Sequence, residues 1–210
     1  MNVINYLIFE QLPAEIRNRA TYQDVAAKQI IFQQGETTDS IYFLLDGQIR
    51  LASFTEERII NHYFVSTGES FAETALFSDS YFCTAIADLP SSLAKIDKNI
   101  FCQAIANMPD LAHIYMNQLT ARFQTVKTLL ELRSIRSARE RILQYLIRQV
   151  EPNNRTIILQ RSLKNLAIEL GLSAEALSRT LSRLQTEGII SRKQRSITLN
   201  EDWLTIDNNQ

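Results

Sequence analysis

The chain has 210 residues and a mass of 24.1 kDa, with 45% hydrophobic and 21% charged residues. That length and balance bury a sizeable core and exclude a disordered or fibrous chain. No apolar run approaches the ~18 residues needed to span a bilayer, and Met1-Asn2-Val3-Ile4-Asn5-Tyr6 lacks the basic start of a secretory signal, so a soluble cytoplasmic protein without membrane association is expected. Cys83 and Cys102 cannot form a disulfide framework, and His62 and His113 are too few for a zinc site or a cupin-type oxygenase. Neither histidine lies in a nucleophile motif, so no catalytic residue, metal or cofactor is expected.

The net charge of −1 conceals a segregation. Residues 1–132 carry 9 Lys/Arg against 15 Asp/Glu, and residues 133–210 carry 13 against 8. Stopping at Asn200 leaves 13 basic against 5 acidic residues in the second stretch. This is the footprint of a polyanion-binding module or, read more plainly, of a solvated helical surface.

In chain order, a short helical opening (Ile4 to Phe9, then Pro13 to Arg19) gives way to strands predicted at Gln29–Gln33, Ile41–Leu45, Gln48–Phe54, Arg58–Val65, Phe82–Asp88 and Ser91–Ile96. Gly35, Gly47 and Gly68 mark turns between them, and short strands so spaced predict an antiparallel sandwich or jelly roll. From Asp110 the period becomes helical. Ala112, Met116, Leu119, Phe123, Val126 and Leu130 alternate spacings of four and three, the seam of a helix that pairs with a second copy, and Arg133 ends the stripe. A second amphipathic helix buries Ile142, Leu143, Leu146, Ile147 and Val150 and closes at Pro152-Asn153.

Ser162 to Glu187 carries the strongest signal. Leu163, Leu166, Ala167 and Leu170 form one apolar helical face, and Gly171 follows where a left-handed cap is wanted. Ser173 then caps a second helix, with Leu172 placed to staple onto Leu177 and a buried stripe of Ala176, Leu177, Leu181 and Leu184. Two helices joined by a glycine turn predict a helix-turn-helix. Its outward residues Glu175, Ser178, Arg179, Ser182 and Arg183 suit base edges and phosphates, and Lys164 lies on the helix before. The plainer alternative is an amphipathic hairpin with solvated charges. Beyond Gly188, Ile189–Arg192 and Ser196–Leu199 predict a two-stranded wing with Lys193 and Arg195 at its tip.

Over essentially its whole length the sequence resembles the Crp/Fnr family of bacterial transcription regulators. The resemblance rests on Gly35, Gly47 and Gly68, on Gly68-Glu69-Ser70-Phe71-Ala72-Glu73 and Leu76-Phe77, and on the Fnr-like Glu175-Ala176-Leu177-Ser178-Arg179. It implies an α+β chain: a jelly-roll sensor over 1–109, a dimerisation helix over 110–136 and a winged helix-turn-helix over 137–210. It further implies a homodimer on double-stranded palindromic DNA with TGA-containing half-sites, and RNA polymerase as partner. Glu175 and Arg179 would read bases, Ser178 would help discriminate, and Ser173, Ser182, Arg183, Lys164, Lys193 and Arg195 would complete the contact surface.

The effector pocket of the resemblance comprises Gly68, Glu69, Ala72, Glu73, Thr74, Cys83, Thr84, Val126 and Lys127. It departs from the cyclic AMP pattern in three places. Cys83 replaces the arginine that grips the phosphate, Val126-Lys127 replaces a Thr-Ser pair, and Ala72 replaces a glycine. Glu73, kept for the ribose, then faces a phosphate with no neutralising cation. Cyclic AMP is therefore not the expected effector, and the N-terminus lacks the cysteines of the iron–sulfur members. Cys83 as a redox sensor and either histidine as a haem ligand are weaker alternatives to structural roles. The alternative overall reading is a ligand- or redox-sensing module that acts mainly through protein interaction.

Overall fold

The computed structural model describes residues 8–56, 59–151, 154–159 and 161–200. Ile4–Leu7 of the opening helix, Arg58 and the Pro152-Asn153 stop lie outside them. The chain divides into two compact units between Arg122 and Phe123.

The first unit opens with two short helices, α1 (Ile8–Gln11) and α2 (Ala14–Arg17). Eight strands follow: β1 (Thr21–Val25), β2 (Ile30–Phe32), β3 (Ser40–Asp46), β4 (Gln48–Phe54), β5 (Ile59–Ser66), β6 (Ser70–Phe71), β7 (Thr84–Ala87) and β8 (Ser91–Asp97). They pair antiparallel in two four-stranded sheets, ordered β1-β8-β3-β6 and β2-β7-β4-β5, which is the jelly roll expected. A 3-10 helix at Glu73–Phe77 and helix α3 (Lys98–Asn107) complete the unit with the start of α4 (Pro109–Ser134).

Strand β3 is buried along most of its length because both its faces are covered. Tyr42 and Leu44 join Phe32, Phe71 and Tyr81 in one cluster, with the rings of Phe32 and Tyr81 stacked at 3.9 Å. Ile41 and Phe43 join Phe101, Leu111 and Tyr115 in another. Gly47 is required by the β3–β4 turn: its φ is +100°, and a Cβ there would meet the Pro90 carbonyl oxygen at 2.6 Å.

Three elements of this unit differ from expectation. β1 exposes four of its five residues at the edge of its sheet, so it has no apolar alternation to read. β6 is only two residues long. α3 was missed although Asp97 is a cap whose carboxylate accepts from the backbone N–H groups of Asn99 (2.8 Å) and Ile100 (3.1 Å).

The second unit contains the end of α4, then α5 (Ala138–Gln149), β9 (Thr156–Ile158), α6 (Leu163–Glu169), α7 (Ala174–Thr186), β10 (Ile190–Lys193) and β11 (Ser196–Leu199). Serine hydroxyls cap three of its helices, Ser137 accepting from Glu140 N–H, Ser162 from Asn165 N–H and Ser173 from Ala176 N–H. Leu132, Leu143, Leu146, Leu166, Leu170, Leu177, Leu181 and Leu184 meet in one core. Ile147 and Val150 are only half-buried, as is Ala176. The wing is three-stranded rather than two-stranded, because β9 adds to β11 in the order β10-β11-β9. No helix of the described residues is long and apolar enough to cross a membrane.

Candidate nucleic-acid interface and effector pocket

The turn between α6 and α7 closes as the sequence requires. Gly171 takes φ +65°, the N–H of Leu172 donates to the Ala167 carbonyl at 2.8 Å, and the N–H of Gly171 donates to Ile168 at 3.1 Å. With that turn set, α7 buries Leu177, Leu181 and Leu184 completely and leaves Glu175, Ser178, Arg179, Ser182 and Arg183 exposed on the opposite face. Ser173 and Lys164 are exposed beside it.

The head of α7 tunes Glu175. Its own backbone N–H, the Ser173 hydroxyl and the nearby Arg179 charge hold its carboxyl below the usual range, so it stands as an acceptor at neutral pH. Arg183, by contrast, is already engaged. Its Nε donates to Glu187 Oε1 at 2.9 Å, and Arg139 takes the other oxygen at 2.9 Å. This ties down one of the two arginines on the face. In the wing, Lys193 pairs with Ser196 across a tip of Gln194 and Arg195, with Gln194 at φ +54°, and both basic side chains are exposed.

The pocket residues of the first unit gather around the turn from β6 into the 3-10 helix. Gly68 N–H donates to Leu44 at 2.8 Å. Glu69 is buried, accepting from the Tyr63 hydroxyl and the Ser66 N–H, each at 2.9 Å. Ala72 sits at φ +67°, ψ +30°, a left-handed conformation that glycine adopts most readily. Glu73 accepts from the Ser70 hydroxyl at 2.8 Å and pairs with Arg122 of α4, whose other terminal nitrogen donates to the Ser70 carbonyl at 2.6 Å. Arg122 also lies 5.2 Å from the Tyr63 ring centre. Burial works against its charge, but Glu73, Glu69 and Tyr63 more than offset this and raise its pKa.

Cys83 is half-buried, and burial followed by the Glu73 charge pushes its thiol up to about 11. Thr84 is buried, and its hydroxyl oxygen accepts from Gln34 N–H at 3.0 Å. Thr74 is exposed, while Val126 and Lys127 are exposed on the part of α4 that belongs to the second unit. The sequence names Ser70 only as part of the Gly68–Glu73 motif and does not point to Arg122 at all. Part of a signal was present, since Leu111, Tyr115 and Gln118 are buried along one stripe of α4 that continues to the half-buried Arg122 and an arginine so placed needs a carboxylate, but nothing in the sequence names Glu73 as that partner.

His62 lies in β5, exposed, with its Nε2 2.8 Å from the Ser53 hydroxyl, and His113 is exposed on α4 beside Asn117. Among the described residues no group of three His, Cys, Asp or Glu converges as a metal site. The seam residues Met116, Leu119, Phe123, Val126 and Leu130 are 65%, 37%, 70%, 39% and 63% exposed in the single chain, and Ala112 is half-buried. Ala112, Met116, Leu119 and Phe123 each follow a residue of the buried stripe by one position, so the seam lies about 100° round the helix from it, on an adjacent exposed face.

Comparison with known proteins agrees with this architecture. Residues 22–108 match the cyclic nucleotide-binding domain and residues 140–204 the Crp-like helix-turn-helix domain, together more than half of the chain. The regulatory protein HlyX of Actinobacillus pleuropneumoniae is 28% identical over 191 residues, covering 87% of this chain and 79% of HlyX. Among solved structures, FixK2 from Bradyrhizobium japonicum superimposes with a TM-score of 0.70 at 21% identity, over 90% of this chain and 96% of that one. A CooA mutant from Carboxydothermus hydrogenoformans gives 0.77 at 16% identity, over 100% and 96%. A cyclic nucleotide-binding-type sensor followed by a Crp-like helix-turn-helix is the build of a DNA-binding transcription regulator rather than an enzyme, and the chain belongs to the Crp/Fnr family.

Proposed function

We propose that the protein acts in the cytoplasm as a homodimer that binds palindromic double-stranded DNA with TGA-containing half-sites and responds to no tightly bound cyclic AMP. The observation that carries this reading is the α7 face, where Glu175, Ser178, Arg179 and Ser182 stand exposed over three fully buried leucines. A helix with this geometry presents one carboxylate and one guanidinium to the major groove, where cytosine N4 donates and guanine O6 and N7 accept. Lys164, Lys193 and Arg195 suit phosphates on either side. The exposed seam from Ala112 to Leu130 supplies the two-fold that an inverted repeat demands, and the sensor (1–109), dimer helix (110–136) and reading domain (137–210) divide the work. RNA polymerase is the partner this role calls for.

The degenerate pocket supports an effector other than cyclic AMP, or none. A mobility-shift titration on a TTGAT-type inverted repeat against a shuffled duplex tests the reading. Expected is binding of the repeat with a clear preference over the shuffled sequence. Equal affinity for both overturns it and favours a sensing module that works through protein contacts.

A further inference from the structure

Arg133 occupies the next position of the α4 seam, where the apolar stripe stops, yet its guanidinium turns to another helix. Nε donates to the Glu169 carbonyl at 2.9 Å and Nη2 to Ile168 at 3.2 Å. Arg141 of α5 completes the set. Its Nη1 donates to the Leu170 carbonyl at 2.8 Å and to Gly171 at 3.2 Å, while Nε and Nη2 hold Ile135, one residue past the end of α4. Four successive carbonyls at the C-terminus of α6 thus receive two arginines. These are the groups a helix leaves without intrahelical partners, at the end where its dipole favours cations.

We infer that Arg133 is a positioning residue that fixes the angle of the reading helix relative to the dimer helix, and so sets the half-site spacing the dimer accepts. The inference rests on the DNA-binding reading proposed above. Arg133 is largely exposed, so it adds little burial; the neighbouring Leu132, 1% exposed, already anchors α4 in the core. What Arg133 adds is direction. The carbonyls it grips lie immediately before the Gly171-Leu172-Ser173 turn, so holding them holds the head of α7. Turning aside also takes its charge away from the seam, where a partner's identical charge would oppose it.

The test uses the full chain and a set of palindromes with identical half-sites whose centres are moved one base pair closer or farther, each step rotating a half-site by about one tenth of a helical turn. Wild type is expected to lose at least roughly tenfold in affinity at either altered spacing. Arg133→Met, which keeps the apolar stem but no donor, should bind the best site more weakly and show a spacing preference narrowed to within about threefold, with its base preference within each half-site unchanged. Arg133→Lys should recover part of the preference. Should Arg133→Met unfold in a parallel melting experiment, Arg133→Gln carries the same expectation. A variant that folds and keeps the wild-type spacing preference overturns the inference; wild type that binds no palindrome at any spacing overturns the DNA-binding reading itself.

Discussion

Arg122 of α4 is paired with Glu73 of the 3-10 helix, so the carboxylate that the family resemblance would set against a ribose is already engaged by a cation from within the chain. The same guanidinium is held by the Ser70 carbonyl. A ligand phosphate entering near Cys83 would find a half-buried thiol in place of a cation, raised first by burial and then by the Glu73 charge, and the guanidinium of Arg122 already engaged by Glu73. A charge-assisted hydrogen bond contributes roughly 1.5–3 kcal/mol, so its loss weakens a cyclic phosphate site by about one to two orders of magnitude. Titration calorimetry with cyclic AMP at low micromolar concentration should register no binding. A submicromolar dissociation constant would refute this account of the pocket.

Cys83 should also be chemically quiet. A thiol pushed up to about 11 is almost wholly protonated at pH 8, and only the thiolate is the nucleophile. Iodoacetamide labelling mapped to the Cys83 peptide should stay slow up to pH 9 and accelerate only near pH 10–11. Glu73→Gln removes the second cause of the shift and should move the profile to lower pH. Linkage follows with a definite sign: the unfolded thiol loses its proton first, so this group's share of stability is present below pH 9 and fades as pH rises toward 11. Rapid labelling at pH 7.5 would contradict the environment described.

The α4 seam makes a prediction about mass. Met116, Phe123 and Leu130 are too exposed for a lone helix face, and covering apolar area stabilises by about 25 cal/mol per Å². Val126→Asp puts like charges into the middle of that seam. Sedimentation at micromolar concentration should show a dimer for wild type and a monomer for the variant; a variant that keeps dimer mass means that the seam lies elsewhere.

Legibility followed periodicity and capping. The helix-turn-helix could be read because Leu163, Leu166, Ala167 and Leu170 keep helical spacing, Gly171 marks the left-handed turn and Ser173 caps the next helix. β4 was placed at its observed bounds because its turns carry Gly47 and a clear end at Phe54. β1 and β9 were not, since an exposed edge strand and a three-residue strand impose no pattern on their residues. The pocket's ion pair was hidden for a different reason. Glu73 and Arg122 are far apart in sequence, and only the packing of α4 against the sensor sheet brings them together. The long-range reach of Arg133 to α6 was equally silent, and in the sequence it read only as the end of the seam.

The last prediction separates base reading from phosphate contact. If Arg179 bridges guanine in the TGA core while Glu175, held ionised at the head of α7, accepts from the cytosine of a paired base, both act on sequence. Arg179→Ala should then cost roughly 1–3 kcal/mol on the best site and relax the preference at that guanine. Lys193→Ala or Arg195→Ala, at the exposed wing tip, should weaken every sequence alike and reduce the salt slope by about one phosphate contact per subunit. Arg183→Ala should have a smaller effect than either, because Glu187 already holds that guanidinium. Measuring each variant on matched and single-base-changed inverted repeats, with centres about 10–10.5 base pairs apart, over a salt series resolves the two behaviours. An Arg179→Ala variant that loses affinity uniformly, with base preference intact, would make Arg179 a phosphate contact and shift the reading register along α7.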